Sequence, residues 1–349
     1  MEEASLSIRT IIALWKANVP HWVWIGAPAW IGAILLGLDG RTPDWGPLAL
    51  FIITIITIQS IAEFANSYTD RDEDRLYGPT NTLVTGELNV GVARKVLIFQ
   101  NILAAFLLLA LLVITLNYAL IAVMAVGWFF GLAYSILPLR LKETPYAPFD
   151  HAVAFALLPI AGWLIVEPSL LAKNGFIIAF ASFLFLHSYG LGITLKFRKT
   201  LLALNSGLVS TKQGSDLYNL STVGFRLKFK TAMYLEAIAA LGSFILVPIF
   251  WYLGVFDAAL SIALLALPLP LTALAMILRT KDPVKNSSIY KVFMTLSWIL
   301  IVVTLLGYGL SSLIPWVFAA LICVISLVGF PLLVRVVHPW GAKSLNARY

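Results

Sequence analysis

The chain has 349 residues, of which 60% are hydrophobic and only 12% are charged, and its formal net charge is +7. Soluble domains carry about 25% charged residues, so this composition excludes a soluble globular protein. It predicts an integral membrane protein with membrane lipids as partners. The basic residues are scattered over separate polar segments, which argues against nucleic acid as a partner.

Ten apolar spans follow one another along the sequence, and each approaches or exceeds the roughly 20 residues that a helix needs to cross a bilayer. We predict an all-α, polytopic membrane helix bundle of about nine or ten transmembrane helices, in a single integral membrane domain, 1–349. The first nine helices, over residues 11–310, form the bundle, and 313–335 is an extra C-terminal helix. The spans lie at 11–38, 46–66, 94–116, 118–137, 150–166, 174–195, 231–252, 256–278, 290–310 and 313–335.

The Lys and Arg residues predict which side of the membrane each loop occupies. If successive loops alternate sides, all 24 of these residues except Arg41 and Lys173 fall on the side that holds both termini. The positive-inside rule makes that side cytoplasmic. We therefore predict a multi-pass protein of the cell membrane, with both termini and the polar segments 67–93 and 196–230 on the cytoplasmic side.

The polar end of the second span carries Asn66, Asp70 and Asp74, four residues apart. This spacing places the three side chains on one face of a helix. Two carboxylates and an amide oxygen form a hard oxygen site that suits Mg²⁺. Carboxylates are costly to hold at the edge of a bilayer, so they indicate a functional site. The alternative interpretation is a solvated acidic cap at the end of the helix.

The segment after the fourth span begins at Tyr134 and ends at Lys142. Pro138 is predicted to end the helix, so that Arg140 and Lys142 project from a short cytoplasmic turn. Arg suits bidentate contact with a diphosphate, and Lys supplies a point charge. The alternative is that these two cations are an ordinary positive-inside anchor.

The acidic motif resembles the first motif of the UbiA-type intramembrane prenyltransferases, Asn-x-x-x-Asp-x-x-x-Asp at the cytoplasmic end of helix 2. The next stretch, 75–86, is similar to a family segment with Pro, then Arg-Pro, then Ser/Thr-Gly, except that Asn81 and Thr82 replace the Arg-Pro pair. Residues 133–145 match a second family segment, Tyr-Ser-x-x-Pro-x-Arg-x-Lys. The resemblance implies the family's arrangement of the first nine helices.

The family's second acidic motif, Asp-x-x-x-Asp after helix 6, is missing. The corresponding region has no carboxylate before Asp216 and instead carries Lys196, Arg198 and Lys199. One interpretation is that these cations neutralise the diphosphate in place of a second metal ion. The others are that the clamp and the parent chemistry have been lost, or that the basic residues only hold the membrane topology.

The resemblance implies ionisation of an allylic prenyl diphosphate donor, followed by attack from a lipophilic acceptor such as an aromatic quinone precursor, a porphyrinoid or a glycerol lipid. It implies Mg²⁺ as the cofactor, at a site on the cytoplasmic face. The expected metal ligands are Asn66, Asp70 and Asp74; the expected catalytic groups are Asp70, Lys196 and Arg198; the expected diphosphate contacts are Tyr134, Arg140, Lys142 and Lys199.

Three other functions fit the same residues. The nearest is phosphoribosyl transfer from 5-phosphoribose 1-diphosphate to a polyprenyl phosphate, because relatives of that kind also depart from the second Asp motif and carry basic residues there. Another is intramembrane terpene cyclisation, in which the cation closes on itself in a sealed apolar cavity. The third is a non-catalytic lipid-binding or transport protein on the same scaffold, although the inverted repeats and broken helices of transporters are not evident.

Three further polar residues lie within or beside the predicted spans. Glu63 precedes Asn66 in the second span, and an intramembrane carboxylate needs a partner, so we expect it to orient Asn66 or a metal-bound water. His187 is interpreted either as a structural residue or as a hydrogen-bonding group of the pocket. Asp150 is expected to cap the N-terminus of the fifth helix.

Overall fold

The computed structural model describes residues 8–18, 20–71, 74, 81–144, 146–205, 229–257, 259–279, 283–311 and 313–337. These residues form helices and turns and contain no strand, which confirms the all-α prediction. Two short 3-10 helices span Leu141–Glu143 and Ala259–Ala266. The α-helices are α1 (Ile8–Ala17), α2 (Pro20–Leu38), α3 (Trp45–Thr69), α4 (Val90–Thr115), α5 (Tyr118–Ser135), α6 (Ala147–Leu164), α7 (Ala172–Asn205), α8 (Phe229–Tyr252), α9 (Pro268–Arg279), α10 (Pro283–Ser311) and α11 (Trp316–Val337).

Six segments of the described helices are long and apolar enough to cross a membrane. Shorter apolar stretches lie at Val23–Leu38, Ala237–Tyr252 and Ala263–Met276. The chain is therefore a multi-pass membrane protein, as its composition predicts. The six segments are Trp45–Thr69, Val90–Thr115, Tyr118–Ser135, Ala147–Leu164, Ala172–Ile193 and Val292–Ser311.

Two of the predicted spans are wrong as single helices, and proline accounts for both. The span 11–38 divides into α1 and α2, because α2 begins at Pro20, which has no backbone N–H to donate to a preceding turn. The span 256–278 divides into a 3-10 helix and α9, which begins at Pro268. The hydropathy of both segments is continuous, but their backbone hydrogen bonding is not.

The chain forms two compact units, of which the first comprises residues 1–25, 44–139 and 328–349. In this unit α3 packs against both α4 and α5. A Cβ atom on Gly131 of α5 would lie 2.9 Å from the Cβ of Ala62 on α3, so the small residue permits the close approach of the two helices.

The second unit comprises residues 26–43 and 140–327. Its central element is α7, which packs against α6, α8 and α10. The α2 part of this unit approaches α6 so closely that a Cβ atom on Gly162 would lie 2.2 Å from the backbone oxygen of Trp30. Only glycine fits there. One integral membrane domain over 1–349 stays a prediction.

Polar side chains in the second unit satisfy the carbonyl groups at the C-terminal end of α2. Arg41 donates to the carbonyls of Leu38 and Gly37, at 3.0 and 2.6 Å, and pairs with Glu167 at 3.3 Å. The Lys173 ammonium donates to the carbonyl of Leu36 at 3.0 Å and to Asp39 at 2.9 Å. The hydrogen bond from Lys173 and its charge lower the pKa of the Asp39 carboxyl. Arg41 and Lys173 are the two exceptions to the positive-inside pattern. Both of them cap this helix.

Candidate metal and diphosphate site

The three residues of the acidic motif are joined by backbone hydrogen bonds of helical spacing at the end of α3. The amide of Asp70 donates to the carbonyl of Asn66 at 2.9 Å, and the amide of Asp74 donates to the carbonyl of Asp70 at 2.8 Å. Each of these amides donates to the carbonyl four residues earlier, as in an α-helix. Residues four apart on such a path stack on one face, so the backbone presents the amide and the two carboxylates in one row.

Asp70, the middle residue of this row, is only 4% exposed. A buried carboxylate costs free energy unless it is hydrogen-bonded, paired or bound to a cation. Its burial makes a solvated acidic cap a poor description of Asp70.

Asn66 is oriented by a hydroxyl group from α5. The Oγ of Ser135, which is completely buried, donates to the Oδ1 of Asn66 at 3.3 Å. A hydroxyl that donates to the amide fixes the position of its oxygen, Oδ1, and this is the atom that a hard cation would bind. A carbonyl oxygen has two lone pairs, so it can accept the hydrogen bond and still bind a metal. In the sequence, Ser135 is only the serine of the Tyr-Ser-x-x-Pro segment.

Asp74 is held by a residue that the sequence analysis treats as a departure from the family pattern. The Nδ2 of Asn81 donates to the Oδ2 of Asp74 at 3.0 Å and to the carbonyl of Ser67 at 2.6 Å. Asn81 is buried, and its contacts connect the turn after the acidic motif to α3.

The segment after α5 differs from its prediction. Tyr134 is half-buried near the end of α5. Arg140 has a left-handed backbone conformation with φ 37°, and its guanidinium pairs with Glu143. Lys142 does not project into solvent but is only 4% exposed, because the 3-10 helix that carries it packs against α6. An exposed positive-inside anchor is therefore the wrong description of Lys142.

The three predicted cations after the sixth span lie on the last part of α7. The helix continues to Asn205, so the backbone of Lys196, Arg198 and Lys199 is helical. Their side chains lie outside the described residues, as does Asp216.

The second unit contains buried polar groups whose roles the sequence leaves open. His187 is completely buried, with its Nδ1 3.4 Å from the Oγ of Ser243. The Nε1 of Trp298 donates to the Oγ of Ser188 at 2.8 Å. These contacts connect α7 with α8 and α10.

Asp150 does not cap its helix, contrary to the expectation from the sequence. The helix α6 begins earlier, at Ala147, and Tyr146 holds the capping position without a side-chain hydrogen bond. Asp150 instead lies in the first turn and is 2% exposed. Pro148 at the second helical position is the signal that could have placed this start, because proline is favoured in the first turn.

The donor set at the end of α3 fits a magnesium ion. Among the described residues, no group of three or more His, Cys, Asp or Glu side chains could hold a metal, and this site combines two carboxylates with an amide oxygen instead. Mg²⁺ is usually bound through one or two carboxylates, with water and phosphate oxygens completing its octahedral shell. A buried Asp70, together with Asn66 and Asp74 that are each held by a second residue, meets this requirement.

Known proteins resemble this chain in sequence family and in fold. A family model described as "UbiA prenyltransferase family" matches residues 25–299. No curated protein sequence matches the chain significantly. Three solved structures share its fold at 15% identity, a level that shows the fold alone.

The first of these structures concerns a digeranylgeranylglyceryl phosphate synthase in membranes. It has a TM-score of 0.65 and 15% identity, and the match covers 87% of this chain and 100% of that chain. The second is a UbiA homolog from Archaeoglobus fulgidus bound to GPP and Mg²⁺, with a TM-score of 0.55, 15% identity and coverage of 86% and 99%. The same homolog bound to DMAPP and Mg²⁺ matches with a TM-score of 0.50, 15% identity and coverage of 96% and 99%.

Proposed function

Because the chain belongs to the UbiA prenyltransferase family, we propose that it is a Mg²⁺-dependent membrane prenyltransferase. It moves an isoprenoid group from a polyprenyl diphosphate to a lipophilic acceptor, an aromatic compound or a lipid. The observation that carries this proposal is the row of Asn66, Asp70 and Asp74 at the end of α3, with its buried central carboxylate. Relatives of the same fold bound to a prenyl diphosphate and Mg²⁺ support it.

The proposed reaction breaks the bond between the allylic carbon and the diphosphate oxygen, and the oxygen keeps the electron pair. The acceptor then supplies an electron pair to the allylic cation and loses a proton. Asn66, Asp70 and Asp74 would hold Mg²⁺, which when bound would neutralise charge on the departing diphosphate. Lys196 and Arg198 add fixed positive charge where negative charge develops.

The remaining diphosphate contacts are proposed at Tyr134, Arg140, Lys142 and Lys199. Lys142 lies two residues after Arg140 on the same short turn, which supports a joint contact of the two cations with one anion. The pairing of Arg140 with Glu143 fixes the guanidinium on its short turn, so that it is pre-organised for an anion. Apolar helix walls then keep water from the carbocation.

We place the site and both termini on the cytoplasmic side of the cell membrane. The distribution of Lys and Arg supports this orientation. The engagement of Arg41 and Lys173 in the cap of α2 strengthens the argument, because the two exceptions to the charge rule have a local structural role.

Phosphoribosyl transfer to a polyprenyl phosphate is the second candidate. The absence of the second acidic motif and the basic residues Lys196, Arg198 and Lys199 in its place favour it. Those cations would suit the more highly charged donor.

Release of diphosphate by the purified protein in lipid tests these proposals. The donor is geranylgeranyl diphosphate with Mg²⁺, and the variants are Asp70→Asn and, as a matched control away from the acidic motif, Glu167→Gln. We expect metal-dependent release by the wild type and the control, and its loss in Asp70→Asn. Mass spectrometry of the product then separates transfer from cyclisation.

The assay is repeated with prenyl diphosphates of several chain lengths and with added acceptors. Absence of release by the wild type under all these conditions would contradict prenyl transfer. Release from 5-phosphoribose 1-diphosphate would then establish the second candidate, and failure with both donors would favour a lipid-binding protein.

A further inference from the structure

The turn from Asn81 to Leu88 follows the acidic motif in the sequence and returns to it in space. Asn81 is 8% exposed and makes three hydrogen bonds through its side chain. Its Nδ2 donates to the Ser67 carbonyl at 2.6 Å and to the Asp74 carboxylate at 3.0 Å. Its Oδ1 accepts from the amide of Leu83 at 2.9 Å. Two donors and one acceptor are thus used at once.

These three contacts require a short amide side chain. An Asp at position 81 would have the same shape but no N–H group, and its charge would face the carboxylate of Asp74. An aliphatic side chain would leave the Ser67 carbonyl and the buried Leu83 amide without these partners. The choice of asparagine is therefore explained by its contacts with Asp74 and Ser67 together.

The backbone of the turn holds Asn81 in place independently of Asp74. The amides of Val84 and Thr85 donate to the carbonyl of Asn81 at 2.9 and 3.0 Å. Leu83 and Leu88 are buried and anchor the turn to the first unit. Since the turn is fixed by these contacts, the orientation of Asp74 is set by a rigid element, as metal sites require of the residues around their ligands.

We propose that Asn81 is a positioning residue of the metal site, which holds the Asp74 carboxylate in the orientation that binds the divalent cation of the substrate diphosphate. This inference rests on the proposed function. The second acidic motif of the family is missing from this sequence. With one row of oxygen ligands instead of two motifs, the orientation of each ligand contributes more to metal affinity. Asn81 stands where the family pattern has Arg, and a neutral amide fixes a carboxylate without cancelling its charge.

Direct binding of Mn²⁺ tests the proposal without turnover. Loss of the free Mn²⁺ signal in electron paramagnetic resonance is measured for the protein in lipid nanodiscs, relative to empty nanodiscs with the same inorganic diphosphate, because diphosphate itself binds Mn²⁺. We expect Asn81→Ala and Asn81→Asp to weaken Mn²⁺ binding about 10- to 100-fold, as changes around metal ligands do. Thr85→Val is the matched control in the same turn, since the Thr85 hydroxyl donates to the Thr82 carbonyl. It should change binding less than about twofold.

A double-mutant cycle separates positioning from general support of the fold. In an Asp74→Asn background, Asn81→Ala should add little further loss of Mn²⁺ affinity, because residues that act through one another are not additive. Equal losses in both backgrounds, unchanged binding in both Asn81 variants, or unfolding of both variants in lipid would overturn the proposal. A wild type that binds no Mn²⁺ would overturn it as well. If only the proposed reaction is wrong, the wild type binds Mn²⁺ and the Asn81 variants bind it more weakly, but no prenyl diphosphate is consumed.

Discussion

The same substitution at two glycines should change stability in opposite directions. A Cβ atom added at Gly162 in α6 would lie 2.2 Å from the oxygen, and 2.8 Å from the carbonyl carbon and the Cα, of Trp30. All three atoms belong to the backbone of α2, so no side-chain rotation can relieve the contact. At Gly242, in α8, an added Cβ meets nothing within 4 Å.

The size of the effect follows from these distances. Ordinary contact between the added carbon and the Trp30 backbone requires a movement of about 1 Å between two packed helices. Overpacking of this kind costs about 1–3 kcal/mol, and the rigid backbone favours the upper end, while the gain in helix propensity from Gly to Ala is about 1 kcal/mol. We therefore expect Gly162→Ala to destabilise the protein by about 2 kcal/mol, and Gly242→Ala to stabilise it by up to about 1 kcal/mol.

Reversible unfolding by sodium dodecyl sulfate in mixed micelles, followed by tryptophan fluorescence, measures both free energies. The wild type and the two variants are compared under one set of conditions, and a difference of about 3 kcal/mol between the variants corresponds to a factor of more than about 100 in the unfolding equilibrium. Shifts of the same sign and size in the two variants would refute the close approach of α2 and α6.

Further predictions concern the site and the ends of the helices. Ser135→Ala removes the hydroxyl that orients Asn66 and should raise the Mg²⁺ concentration needed for half-maximal diphosphate release by about 2- to 10-fold, as expected for one hydrogen bond; an unchanged requirement would argue against that contact. Because Lys173 lowers the pKa of Asp39, the pair stabilises the fold above the unfolded pKa of the carboxyl and loses this contribution as the pH falls through the folded value; the difference in stability between wild type and Asp39→Asn should therefore shrink towards acidic pH. Trp298→Phe removes an indole donor from a buried hydrogen bond and should lower the unfolding free energy by about 1 kcal/mol, measured in the same micelle assay. Chelation of divalent ions should abolish diphosphate release and readdition of Mg²⁺ should restore it; release that persists in the chelator would contradict a metal-dependent reaction.

The helical class and the row of ligands at the end of α3 can be predicted from sequence because each depends on local periodicity. A spacing of four residues places Asn66, Asp70 and Asp74 on one face whatever surrounds them. Hydropathy likewise locates most of the apolar helices. It does not report the breaks at Pro20 and Pro268, since a proline interrupts backbone hydrogen bonds without lowering the mean hydropathy.

The supports of the site depend on contacts that periodicity does not encode. Asn81 reaches Asp74 through a turn, and Ser135 reaches Asn66 across 69 residues of sequence. The burial of Lys142 results from packing of its 3-10 helix against α6. In the sequence these residues look like a departure from a pattern, a neighbour of a tyrosine and an ordinary loop cation, and only the tertiary structure gives them a role.

The cap of α2 sets an order of events during synthesis of the chain. Arg41 can donate to the carbonyls of Leu38 and Gly37 as soon as α2 forms, but its partner Glu167 lies 126 residues further along. At a translation rate of about 5–20 residues per second, this carboxylate emerges roughly 6–25 s later. Lys173 arrives later still, 137 residues after the carbonyl that it satisfies. The end of α2 is therefore assembled in two stages, and until Glu167 and Lys173 are synthesised its side-chain cap is Arg41.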